Sequence, residues 1–188
     1  MWAKVESGSI TEIYTSPKRL TIGDTQYPSN RFQLWDAAEL RAIGIYPVVM
    51  DNSNLKNKEF YNNTNITYTV GDGNVVGTYG TATAKSMNDV LFTAEDEKAI
   101  PSQIEGTVKT RGLKSLMKQN INNTAGGYLS QYDWYTLREA DGGTATPSNI
   151  KTYRAAVRTK ANTHCTSIDN AADVDALAAL TFDWPTQP

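Results

Sequence analysis

The chain has 188 residues, 39% hydrophobic and 20% charged, a balance that folds rather than remaining disordered. Its 18 basic and 20 acidic residues leave a formal net charge of −2, which gives no electrostatic footprint for nucleic acid or an anionic membrane. The single cysteine, Cys165, excludes an internal disulfide, and no apolar run reaches the roughly 18–20 residues that a bilayer span requires.

The opening residues Met1-Trp2-Ala3-Lys4-Val5-Glu6 read as a strand and lack the apolar core of a secretory signal, so the expectation is a soluble chain made in a reducing cytoplasm. Ser7-Gly8 separates this run from a second one at residues 10–14, the spacing of a tight hairpin. Pro17 interrupts pairing, and Leu20-Thr21-Ile22 before Gly23-Asp24 predicts another short strand and turn. Asp36 with Glu39 three residues later has the form of a capping box. It predicts a short helix with Leu40 and Ile43 inward and Gly44 as its left-handed exit. An extended run follows at residues 45–49, then an asparagine-rich stretch, 52–65, expected to be irregular. Ile66, Tyr68 and Val70 alternate with threonines, and Gly71-Asp72-Gly73-Asn74 turns the chain into Val75-Val76-Gly77-Thr78-Tyr79, a second antiparallel hairpin. Residues 81–105 mark a changeover, with a helical turn expected around residues 88–92.

The second half reads as helical. Leu113, Leu116, Met117, Ile121 and Ala125 recur at three- and four-residue spacing, and Tyr128 and Leu129 continue the stripe past Gly126-Gly127. Pro147-Ser148 opens a helix whose apolar face is Tyr153, Ala156, Val157, Ala161, His164, Cys165 and Ile168, with Arg154, Arg158 and Lys160 placed on the other side. A last helix is expected over 171–180, capped by Asp169 or Asn170. The closing Trp184-Pro185 segment cannot be helical.

Chemistry is hard to assemble from these residues. His164 is the one histidine, and adjacency to Cys165 in a helix turns the two side chains about 100° apart, so both read as packed side chains rather than a catalytic pair. One histidine and one cysteine make no zinc site, and neither Asp51-Asn52-Ser53-Asn54 nor Gly71-Asp72-Gly73-Asn74 has the calcium-loop pattern. No phosphate-cradling loop is present, and the carboxylates Glu95, Asp96, Glu97, Glu139 and Asp141 read as solvated surface. The expectation is therefore a protein that is not an enzyme and carries no cofactor and no metal. The aromatics are more informative. Tyr128, Tyr132, Trp134 and Tyr135 fall within eight residues, and Trp184 either tucks back onto the helices or docks on another chain.

Two stretches resemble a known family. Leu129-Ser130-Gln131-Tyr132-Asp133-Trp134-Tyr135, Leu137-Arg138, Pro147, Tyr153-Arg154-Ala155-Ala156-Val157-Arg158 and Trp184-Pro185 are similar to the signature of bacteriophage tail fibre assembly proteins, also called tail assembly chaperones. Tyr132 stands where that family has threonine or serine, Val157 where it has leucine, and the stretch between Arg158 and Trp184 is longer. Tyr27-Pro28, Phe32, Leu34-Trp35, residues 37–40 and Gly44-Ile45 resemble N-terminal segments of related phage proteins, less specifically.

The resemblance implies a binding protein that assists folding, oligomerisation or attachment of a tail fibre, or of another tail or baseplate protein. It would act in the infected host cytoplasm or be retained in the virion tail. The alternative is a permanent virion component: a fibre-tip, baseplate or decoration subunit. No nucleic-acid or membrane partner is expected. The fold expectation is α+β: a β-rich module over 1–85, a connecting segment over 86–105, and a helical module with an antiparallel pair over 106–188. Asp133 is expected to cap a helix starting at Trp134, and Trp134, Leu137, Tyr153 and Val157 to form the inner seam of the pair. Tyr132, Trp134, Tyr135, Arg138, Phe182, Trp184 and Pro185 are the candidate partner-binding residues.

Overall fold

At residues 7–8 the backbone turns left-handed twice, with φ of 51° at Ser7 and 78° at Gly8. That geometry matches the twist of the strands it joins, so β1 (Trp2–Glu6) and β2 (Ser9–Tyr14) pair as the expected hairpin, bulged between Lys4 and Val5. The computed structural model describes all 188 residues, and they divide into two compact units, Met1–Thr83 and Ala84–Pro188. The α+β expectation holds: strands dominate the first unit and helices the second.

In the first unit, β3 (Leu20–Ile22) and β4 (Thr25–Tyr27) form a small ribbon. A helical turn not read from the sequence, α1 (Arg31–Leu34), precedes α2 (Ala37–Ala42). The capping box of α2 is complete. Asp36 accepts from the N–H groups of Ala38 and Glu39, and Glu39 accepts from the Asp36 N–H at 2.9 Å. Gly44 ends the helix at φ 78°, where an added Cβ would come 2.9 Å from the Val5 carbonyl oxygen, so only glycine fits. β5 (Ile45–Asp51) then enters the main sheet, followed by β6 (Tyr61–Asn62), β7 (Ile66–Val70), β8 (Val75–Tyr79) and β9 (Thr83–Ala84).

The main sheet has the order β2-β1-β5-β8-β7, antiparallel throughout except for the parallel β5–β8 pair. Its edge strands β2 and β7 approach within 8 Å, so the sheet curls towards closure. Ala3, Ile45 and Val75, from neighbouring strands, are fully buried. Tyr14, Leu20, Phe32 and Leu40 join Ile45 in a core ringed by Trp2, Ile22, Tyr27, Trp35 and Ile43. Phe32 stands edge-on to Trp2 and Tyr14, and Tyr27 to Trp35, arrangements that suit the quadrupoles of the rings. The Tyr-Pro to Gly-Ile stretch is thus core-forming in this unit.

In the second unit, the turn expected at residues 88–92 is displaced. Those residues include β10 (Val90–Leu91), and the helix is α3 (Ala94–Ala99), started by a Thr93–Asp96 capping box. β11 (Val108–Thr110) pairs with β10. Then come α4 (Leu113–Ser130), α5 (Asp133–Ala140), α6 (Ser148–Asn170) and α7 (Val174–Ala178). The last helix begins later than expected because α6 runs through Asn170, so Asp173, not Asp169 or Asn170, caps it by accepting from the Ala176 N–H. No helix is long and apolar enough to cross a membrane.

Candidate functional site

The C-terminal helices are organised by a seam between α4 and α6. From α4 come Leu113, Ile121 and Ala125; from α6 come Ile150, Tyr153, Val157, Ala161, His164 and Ile168, all buried. The three- and four-residue spacing on α6 keeps these side chains on one face. Gly126 and Gly127 cost α4 roughly 1 kcal/mol each relative to alanine, yet the helix continues because Ala125 is buried and Tyr128 and Leu129 are half-buried beyond them.

Arg154 departs from the sequence expectation. Expected on the outer side of α6, it is only 8% exposed. Its Nη1 donates to the Leu129 carbonyl at 2.6 Å and lies 2.8 Å from an Asp133 carboxylate oxygen. The reason is a backbone acceptor. Leu129 is in the last turn of α4, where its carbonyl accepts from the Tyr132 N–H at 3.1 Å and keeps a lone pair free, and where the helix dipole is negative, so a guanidinium suits the site.

Asp133 serves that ion pair rather than a cap. It is the first residue of α5, behind Tyr132, and no side chain caps this helix. The rotation of α5 overturns the expected seam. Trp134 is 52% and Leu137 64% exposed, whereas Tyr153 and Val157 are buried. Half of the proposed quartet is core and half is surface.

Tyr132, Tyr135 and Glu139, three and four residues apart, face inward instead. Tyr132 meets Tyr153 edge-on at 5.3 Å between centroids. The loop after α5 fixes that rotation. Buried Thr146 donates its hydroxyl to the Tyr135 carbonyl at 3.0 Å and its N–H to Glu139 at 3.2 Å, while Arg138 Nε donates to the Thr144 carbonyl at 3.2 Å. Lys151 Nζ sits 2.7 Å from the other Glu139 oxygen, and these contacts, Lys151 foremost, hold the Glu139 carboxyl down to about 2.

What this leaves on the outer side of α5 is Trp134 and Leu137, exposed, with Arg138 beside them and the half-buried Tyr135 ring at the border between the two sides. The Trp134 and Tyr135 rings lie 3.9 Å apart between centroids, and the Arg138 guanidinium carbon stands 4.8 Å from the Trp134 ring centre and 5.4 Å from that of Tyr135. Arg138 is tethered at Nε by the Thr144 carbonyl, so the stack is preorganised. Leu137 lies beside it, one turn on from Trp134. Tryptophan, tyrosine and arginine are the residue types that dominate binding energy in protein interfaces.

The remaining candidates turn inward. Trp184 packs on Tyr128 and His164, with centroids 5.4 and 5.3 Å apart, and Phe182 packs edge-on to His164. His164 Nε2 donates to the Asp183 carbonyl at 2.8 Å, and Lys160 pairs with the Asp183 carboxylate at 2.6 Å and holds its pKa down. Phe182 and Trp184 therefore pin residues 181–188 to the helices. Pro185, half-buried, lines two shallow grooves on α6 with Ala156.

The sequence reading missed another apolar surface. No residue between 84 and 111 is buried, and Val90, Leu91, Ile100, Ile104 and Val108 are all exposed. Polar contacts hold this segment instead. Asp96, drawn down to about 2 by Lys109 and the Thr93 cap, joins α3 to β11, and Asp89 accepts from the Gly112 N–H at the start of α4. The Thr93–Asp96 spacing was the available signal.

Comparison with protein-family models, with curated proteins and with solved structures returns no match to this chain.

Proposed function

We propose that the chain is a bacteriophage tail-assembly factor: a protein that binds a tail fibre or another tail subunit and assists its folding, oligomerisation or attachment without catalysing a reaction. The resemblance of residues 129–158 and Trp184-Pro185 to tail fibre assembly proteins supplies the prior. One observation carries the reading: Trp134 and Leu137 stand half or more exposed beside a guanidinium stacked on two aromatic rings. Leaving a tryptophan and a leucine half or more exposed forgoes part of the roughly 1.5–3 kcal/mol that full burial of a large apolar side chain contributes. A partner surface that covers them regains that free energy on binding.

Residence in the infected host cytoplasm is part of this reading. A second reading, a permanent virion subunit at the fibre tip or baseplate, is favoured by residues 84–111, whose five exposed aliphatic side chains resemble an interface built to stay covered. The test of the first is co-expression with a tail fibre subunit of the same phage. Fibre solubility and trimer yield are expected to fall when the chain is omitted, and unchanged yield overturns the assembly role. Mass spectrometry of purified virions separates the two, since a permanent subunit is present in stoichiometric amount and a departing factor is absent.

A further inference from the structure

A concavity opens between α5 and α6, lined by Thr136 and Glu139 of α5, Thr146 of the loop, and Lys151, Arg154 and Arg158 of α6. Thr136 lies two residues from Trp134, about 200° around the helix, so this wall is on another flank from the exposed tryptophan. Residues 151, 154 and 158 recur at three- and four-residue spacing, which puts three cations on one face of α6.

Two of those cations are engaged. Lys151 pairs with Glu139 at 2.7 Å and Arg154 with Asp133 at 2.8 Å. Arg158 is exposed and bonds to nothing. Three cations against two carboxylates leave the wall with one net positive charge, and a concave surface concentrates its field.

The wall already shows how it holds a carboxylate. One Glu139 oxygen takes the Lys151 ammonium, and the other takes the Thr146 N–H. We propose that the concavity is a carboxylate-binding subsite, in which Arg158 pairs with an Asp or Glu side chain of an acidic segment of the protein partner. The proposal rests on the partner-binding reading above and names the chemistry of that partner.

Charge decides between occupants. One net positive charge matches a monoanionic carboxylate, whereas a phosphate dianion meets the fixed negative charge of Glu139. A nucleic-acid backbone engages a row of free cations, whereas this wall offers one unpaired guanidinium, that of Arg158.

The direct test is fluorescence anisotropy of fluorescein-labelled octaglutamate titrated with the full chain at low ionic strength. Saturable binding is expected, weakening as salt is added. Arg158→Glu should bind about fivefold to tenfold more weakly while melting like the wild type, and Trp134→Ala should bind octaglutamate unchanged. Four results overturn the proposal: no saturable binding by the wild type, equal affinity for Arg158→Glu, displacement by equimolar inorganic phosphate, or tighter binding of a labelled single-stranded DNA octamer. The two readings fail separately. Loss of fibre-subunit capture in Trp134→Ala, with octaglutamate unbound by the wild type, sinks the subsite and leaves the assembly role standing.

Discussion

Helices α5 and α6 come from one stretch of family-like sequence and reach opposite ends of the burial scale. On α6, Tyr153 and Val157 are enclosed against α4; on α5, Trp134 and Leu137 face solvent. The contrast shows that an apolar motif can be divided between a buried seam and an exposed face. The division is made by polar bonds, because Thr146 on the Tyr135 carbonyl and Arg154 on the Asp133 carboxylate set which way α5 faces.

The largest expected effect breaks the inner half. Val157→Ala opens a cavity at a fully buried site and should cost about 2–4 kcal/mol in denaturant unfolding. An unchanged midpoint would remove the seam from its place at the centre of the unit. Next comes the polar hinge between the two helices. Arg154→Ala removes the charged donor that the Leu129 carbonyl shares with the Tyr132 N–H, leaves Asp133 unpaired, and should cost about 1–3 kcal/mol. It should also loosen α5, read as faster amide exchange over residues 133–140. Exchange that stays at the wild-type rate would contradict the role given to Arg154.

Acid sharpens the comparison further. Glu139 sits at about 2 in the folded chain against 4.5 for the free group, so its contribution is present in full above pH 4.5 and is lost as pH falls towards 2. Glu139→Gln should flatten that part of the melting-temperature profile. An acid limb identical to the wild type would show that the loop latch does not depend on the carboxylate. The smallest expected change in stability is that of Trp134→Ala, within about 0.5 kcal/mol of the wild type, as befits an exposed side chain.

What could be read from sequence divides along the same line. The Ser7-Gly8 hairpin, the Gly71 to Asn74 hairpin and the Asp36–Glu39 box depend on neighbours within a few residues, and all were legible. The Thr93–Asp96 box uses the same local pattern, but no apolar periodicity follows it, and the expected turn fell too early. Arg154 reads in the sequence as lying opposite the apolar stripe of α6, because its partner is a backbone carbonyl that no side-chain pattern reveals.

The orientation of α5 was illegible for a different reason. An eight-residue helix carrying Trp134, Tyr135 and Leu137 has apolar groups on more than one face. Its rotation is chosen by Thr146 in the loop beyond it. The inward turn of Trp184 likewise depends on Tyr128 and His164, residues 56 and 20 positions away in the chain.

The most direct measurement is capture of the co-expressed fibre subunit by the double variant Trp134→Ala/Leu137→Ala, alongside its thermal melt. If the outer face of α5 is the contact surface, capture should fall at least tenfold, with a melt matching the wild type. Full capture by a folded double variant would contradict it, and so would a collapse of the fold itself.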